Sequence, residues 1–333
     1  MAAAESYHFF TWDVGSNNDF VRDMEYASNM HLEKGAEDHW EVIAGRPAPE
    51  NMQNHLDEID DFRQQQVKIV LGTYAEDIPI FCLQEVESDW DVQQLLPDKF
   101  SFVKKEGEVI AWDTSKFEEV DFSQELSKET IKAQETLNPR VAITALKSTE
   151  TGEEVLVASA QITEYDPDVQ TPDDAQSGDK EVASISMIMQ ELSKINNSWP
   201  VLIGMNANVT SSYPPRLNPL TDRDFKIDSG KFLTSVDLSK FRQMIASGAP
   251  PSPEKVPGKK TDYVVLLSGK AEDPEDNIFT DEKKIPLMDL LRSPSAHLPL
   301  VQKVTFVKKT LFAKFVSPLR QTLFHLFRKN SSS

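Results

Sequence analysis

Six polar residues of this chain stand at or near the ends of apolar, strand-forming runs, and their types are those that handle cations and protons. Asp13 closes Tyr7 to Val14, Glu85 closes Ile78 to Val86, and Asn206 and Asn208 follow Pro200 to Gly204. Asp262 opens Thr261 to Leu267, and His297 precedes Leu298 to Phe306. Carboxylates are hard oxygen donors suited to Mg²⁺. Histidine exchanges its proton near neutral pH. Asparagine orients or donates, but takes up no proton. Singly, each has a plain explanation: Asp13 with Gly15 and Asn17 makes a turn, and Glu85 is a surface carboxylate. His297 between Pro294 and Pro299 is then a loop histidine, and the two asparagines satisfy local backbone groups. Their joint order along the chain is what sets them apart.

The elements that must position these residues are legible in the hydrophobic pattern. Besides the runs above, Glu108 to Trp112, Arg140 to Leu146 and Glu154 to Ile162 are short and rich in β-formers, which predicts buried strands. Asn51 to Leu71 places Met52, Leu56, Ile59, Phe62, Val67 and Leu71 on one helical stripe. Ala183 to Ile195 does the same with Ile185, Ile188, Leu192 and Ile195. Pro47 to Pro49, Pro167 to Gly178, Pro214 to Pro219 and Gly248 to Gly258 read as surface loops, and Met24 to Pro49 as an inserted loop region. The order of elements predicts an α/β four-layer sandwich, two central mixed sheets flanked by helices.

With 333 residues and 39% hydrophobic content the chain can bury a sizeable core. We read 1–306 as one domain and 307–333 as a tail. The net charge of −19 disfavours polyanions such as nucleic acid as partners. One cysteine, Cys82, excludes an intramolecular disulfide and suits a reducing, cytoplasmic setting. No apolar run is long enough to span a bilayer, and Met1 to Phe10 carries no leader signature. The tail inverts the charge: Lys308, Lys309, Lys314, Arg320, Arg328 and Lys329 stand there with no acid, +6 against −25 for the rest. Leu311, Phe312, Phe315, Val316, Leu319, Leu323, Phe324, Leu326 and Phe327 recur at helical intervals around Pro318. This predicts a C-terminal basic amphipathic helix, either peripheral to an anionic membrane surface or braced on the acidic domain.

The strand-end residues, in their order, resemble the endonuclease/exonuclease/phosphatase family over most of residues 7 to 306. The motifs are Thr11-Trp12-Asp13-Val14-Gly15, Phe81-Cys82-Leu83-Gln84-Glu85-Val86, Met205-Asn206-Ala207-Asn208, Asp262-Tyr263 and Ser295-Ala296-His297. The resemblance implies a Mg²⁺- or Mn²⁺-dependent phosphoesterase. Glu85, with Asp13, would hold the metal. Asp262 would support a protonated His297, which with Asn208 would donate to the phosphate.

Several positions depart from that pattern. The family's Thr-Trp-Asn is Thr11-Trp12-Asp13, and its Thr-His-Leu is Ala160-Gln161-Ile162. Its Gly-Asp-x-Asn maps onto Met205 to Asn208, with Asn206 in place of the aspartate, or shifts so that Gly204 takes the glycine's place. Its Ser-Asp-His loses the aspartate to Ala296. Two acids are lost and Asp13 is gained. Two functions follow as expectations: a phosphoesterase acting on a phosphorylated small molecule or lipid headgroup at a membrane surface, and a catalytically silent binding module that keeps the scaffold.

Overall fold

A computed structural model describes residues 5–17, 20, 30–34, 40–44, 56–122, 140–163, 172–195, 199–209, 214–227, 235–236, 258–259, 261–267, 269–271, 295, 297 and 299–306. The tail 307–333 lies outside these.

In chain order the elements are β1 (Glu5–Asp13), β2 (Met30–Lys34), β3 (Trp40–Ala44), α1 (Leu56–Tyr74), β4 (Ile80–Gln84), α2 (Val92–Leu95), β5 (Phe100–Lys105), β6 (Glu108–Asp113) and β7 (Phe117–Val120). There follow β8 (Val141–Ser148), β9 (Glu154–Gln161), α3 (Pro172–Ile195), β10 (Val201–Asn206), a 3₁₀ turn (Pro214–Leu217), α4 (Asn218–Thr221) and β11 (Lys226–Ile227). The last are β12 (Ser235–Val236), β13 (Gly258–Lys259), β14 (Asp262–Leu267), β15 (Gly269–Ala271) and β16 (Leu300–Phe306).

Twelve of these strands form two six-stranded mixed sheets, ordered β15-β16-β1-β4-β6-β5 and β11-β14-β10-β9-β8-β7. Each contains one parallel pair, β1 with β4 and β9 with β10, among antiparallel neighbours. The predicted four layers are present. Val67 and Leu71 of α1 cover the outer face of the first sheet, packing with Phe10, Trp12, Phe81 and Leu83. Val182, Ile185, Ile188 and Leu192 of α3 cover the second, against Leu156, Ala158, Ile203 and Val265. Between the sheets lies a third cluster, including Phe9, Ile80, Cys82 and Ile110 from one side and Val157, Leu202 and Val264 from the other.

Where the sheets face one another, Gly204 of β10 lies against β1 and β4. A Cβ there would sit 2.6 Å from Thr11 Oγ1 and 2.7 Å from Cys82 Cβ, so only glycine permits this approach. Burial also pushes the Cys82 thiol far above its ordinary pKa, leaving it a packing group.

Three readings of the sequence need correction. Residues 172–178, read as loop, belong to α3, because Pro172 stands at its first position, where a missing N–H costs nothing. Pro214 to Pro219 forms short helical turns. Part of the region read as an inserted loop is the hairpin β2/β3. Strands β5 and β7 were not foreseen: they edge the two sheets, and charged residues such as Lys104, Lys105, Glu118 and Glu119 dilute their pattern.

Candidate active site

The parallel pairs carry the chemistry. Strand β1 ends at Asp13 in register with Gln84, so Glu85 emerges beside it, and β9 and β10 end together at Gln161 and Asn206. Asn206 is in turn opposite Asp262, the first residue of antiparallel β14. Side chains from the two sheets meet here, as ligand sites of open sheets do at strand carboxyl ends.

Asp13, Asp262 and His297 form the tightest group. Their ligand atoms all lie within 4.8 Å of one another. His297 Nδ1 bonds Asp262 Oδ2 at 3.0 Å, and its Nε2 lies 3.7 Å from Asp13 Oδ2. Thr261 Oγ1 donates to the same Asp262 oxygen at 2.9 Å. The loop bearing His297 is pinned to β1: Ser295 Oγ donates to the Asp13 carbonyl at 2.8 Å and accepts from His297 N at 2.9 Å, while Trp12 Nε1 donates to the His297 carbonyl at 2.9 Å.

Burial disfavours the charged imidazole, but Asp13 and Asp262 outweigh it and push His297 up to about 10, so it carries a proton at neutral pH. Burial, reinforced by Asp262, raises Asp13 in its turn, against the opposing pull of His297.

Asp13 has two duties. Its Oδ1 accepts from Gly15 N at 2.8 Å, closing the turn that its neighbours predict, with Gly15 at φ 69°. Its Oδ2 accepts from Asn206 Nδ2, and Asn206 Oδ1 accepts from Asn208 N at 2.9 Å. Asn206 is thereby tied at both ends. Asn208, at φ 45°, donates one amide N–H to the Ile162 carbonyl at 2.7 Å, leaving its second amide hydrogen for other work.

Glu85, at φ 57°, stands next to this group and outside its 4.8 Å limit. Gln161 Nε2 donates to its Oε1 at 2.8 Å. Its backbone N–H is held by the buried carboxyl of Glu108, which burial, Asp13 and Glu85 raise well above the usual carboxylate range. All six predicted residues thus gather at one rim. Gln161 and Glu108, as partners of Glu85, were not foreseen.

Two buried arginines brace the rim, also unforeseen. Arg63 of α1 donates to the Val14 carbonyl at 2.8 Å and to that of Gly15. Arg216 donates to the carbonyls of Thr163, Ala207 and Asn208 at 2.9, 3.1 and 3.2 Å and pairs with Asp179. Each sheet's terminal loops are held by one guanidinium.

Among the described residues the group whose ligand atoms could share a metal ion is Asp13, Asp262 and His297, with the carboxylate of Glu85 beside it. The carboxylate oxygens are hard donors that suit Mg²⁺ or Mn²⁺.

The architecture is that of the endonuclease/exonuclease/phosphatase fold. Solved structures similar to the chain include such a protein from Bacteroides vulgatus (TM-score 0.53, 11% identity, covering 91% of this chain and 100% of that one). The human Nocturnin catalytic domain with bound sulfate is another (0.51, 12%, 91% and 98%), as is ANGEL2, described as a 2',3'-cyclic phosphatase (0.51, 12%, 91% and 95%). No protein-family model and no curated protein matches the sequence.

Proposed function

We propose that the chain is a divalent-metal-dependent phosphoesterase, acting on a small phosphoester or a phosphorylated lipid headgroup at a membrane surface. The observation that carries it is the convergence of Asp13, Glu85, Asn206, Asn208, Asp262 and His297 from two sheets onto one rim. Glu85 and Asp13 would hold the cation, which when bound supplies charge neutralisation and acidifies a water. His297, held protonated, donates to a phosphoryl oxygen, and Asp262 fixes its ring. The remaining amide hydrogen of Asn208 gives a second donor. Asn206 takes no proton and instead holds Asp13 in place.

Similarity to a phosphatase, and to a protein holding the phosphate-like sulfate, supports phosphate as the group bound. Among the described residues no helix is long and apolar enough to cross a membrane, and a peripheral role for 307–333 rests on its basic, apolar composition.

A second reading, a silent binding module, is favoured by Asn206, whose amide is engaged at both ends where a proton acceptor is expected. An assay with Mg²⁺ or Mn²⁺ over phosphodiester, cyclic phosphate and phosphoinositide substrates separates the two. Turnover that falls about 10²- to 10⁴-fold in His297→Ala supports the enzyme. Equal inertness of wild type, His297→Ala and Glu85→Ala on every substrate removes it.

A further inference from the structure

We infer that the side-chain oxygen of Gln161 is a further cation-facing group of this site, holding a water carried by the divalent ion beside Glu85. The inference rests on the metal reading proposed above and adds to it a residue and a role.

Gln161 ends β9 and is 3% exposed. Its amide orientation follows from its neighbour: an ionised carboxylate only accepts, so the nitrogen must face Glu85 Oε1, at 2.8 Å. That choice commits the donor and turns the oxygen elsewhere. Gln161 Oε1 is buried and has no hydrogen-bond partner among the described residues. A buried acceptor in this condition marks a bound water or ion.

The surroundings decide which. Asp13 and Glu85 are close enough to raise the proton affinity of Glu108, and an amide oxygen beside them adds to a negative field. A phosphate oxygen, itself an acceptor, gains nothing from such a group. A cation's water offers the needed hydrogen together with positive charge. Mg²⁺ keeps several waters and takes few protein ligands, so acceptors that grip those waters set much of its affinity. The resemblance puts a histidine here. In this chain the position offers a buried acceptor in its place.

Calorimetric titration of Mg²⁺ into the whole chain tests this, with Gln161→Leu, Gln161→Glu and Glu85→Gln, each first shown to be folded by circular dichroism. Leucine removes both the donor and the acceptor, whereas glutamate removes the donor to Glu85, keeps an acceptor oxygen and adds a negative charge. We expect Gln161→Leu to weaken Mg²⁺ about 10-fold or more and Gln161→Glu to bind at least as tightly as wild type. Equal weakening in both variants would show that only the bond to Glu85 matters and would overturn the inference, as would a Gln161→Leu variant that binds like wild type. Wild type and Glu85→Gln that are alike in taking up no ion would instead bring down the metal reading itself.

Discussion

At the scale of single residues the most consequential group is His297. Its folded pKa of about 10 lies above the ordinary value near 6.5, so the native state holds this proton more tightly than the unfolded chain does. The stability it supplies is full below about pH 6.5 and is lost as pH rises through about 10. In metal-free protein, the His297 ring resonance should not titrate between pH 5 and 8. Asp13→Asn removes the largest charge that upholds the proton, and should bring the titration down toward the ordinary value. A wild-type midpoint near 6.5, measured by NMR, would contradict the assignment. Asp13, Glu85, Asp262 and His297 were legible because each interrupts or borders an apolar run. Gln161 was marked only as a departure from the family's pattern, and the role of Glu108 not at all, since a polar residue inside a strand pattern does not reveal which sheet faces it.

Elements hold these residues through the arginines, and two helical glycines expose the difference between propensity and packing. A Cβ on Gly178 of α3 would meet Arg216 Cζ at 2.6 Å, and the guanidinium is held by its carbonyl partners and cannot yield cheaply. Around Gly72 of α1 nothing lies within 4 Å of a Cβ. Helix propensity alone favours alanine at both sites by roughly 1 kcal/mol. We expect Gly72→Ala to stabilise by about that amount and Gly178→Ala to destabilise by about 1–3 kcal/mol, through displacement of Arg216. Urea unfolding of the two variants checks both signs, and stabilisation in both would refute the brace. Arg63 left a trace in the sequence, four residues after Ile59 and four before Val67, on the apolar stripe of α1. Arg216, in a proline-rich turn, left none, because its burial comes from contacts with the loops after β9 and β10 and with Asp179 of α3.

Over the whole molecule, the site exists only where two sheets meet. The first sheet contributes Asp13 and Glu85, and the second Gln161, Asn206 and Asp262. The closeness that Gly204 permits is therefore a condition of the site's assembly as well as of packing. Gly204→Ala should cost about 1–3 kcal/mol in stability and lower the proposed phosphoesterase turnover even at temperatures where the variant is fully folded. Unchanged turnover beside a clear drop in melting temperature would separate the interface from the chemistry. The layer order was legible in the order of the strand and helix patterns, whereas the edge strands, with their charged faces, were not.

The pairing of β1 with β16 has a further bearing on how the protein would sit on a surface. Phe306 lies opposite Glu5, whereas the candidate site lies at the Asp13 end of the same strand. Phe306 therefore lies at the far pole, about 26 Å from Asp13 at the usual rise per strand residue. Were the basic segment to grip a bilayer beside Phe306, the candidate site would look outward into solvent, toward diffusing phosphoesters. Lipid headgroups of that same leaflet would come within reach only if the segment first ran back along the flank of the domain.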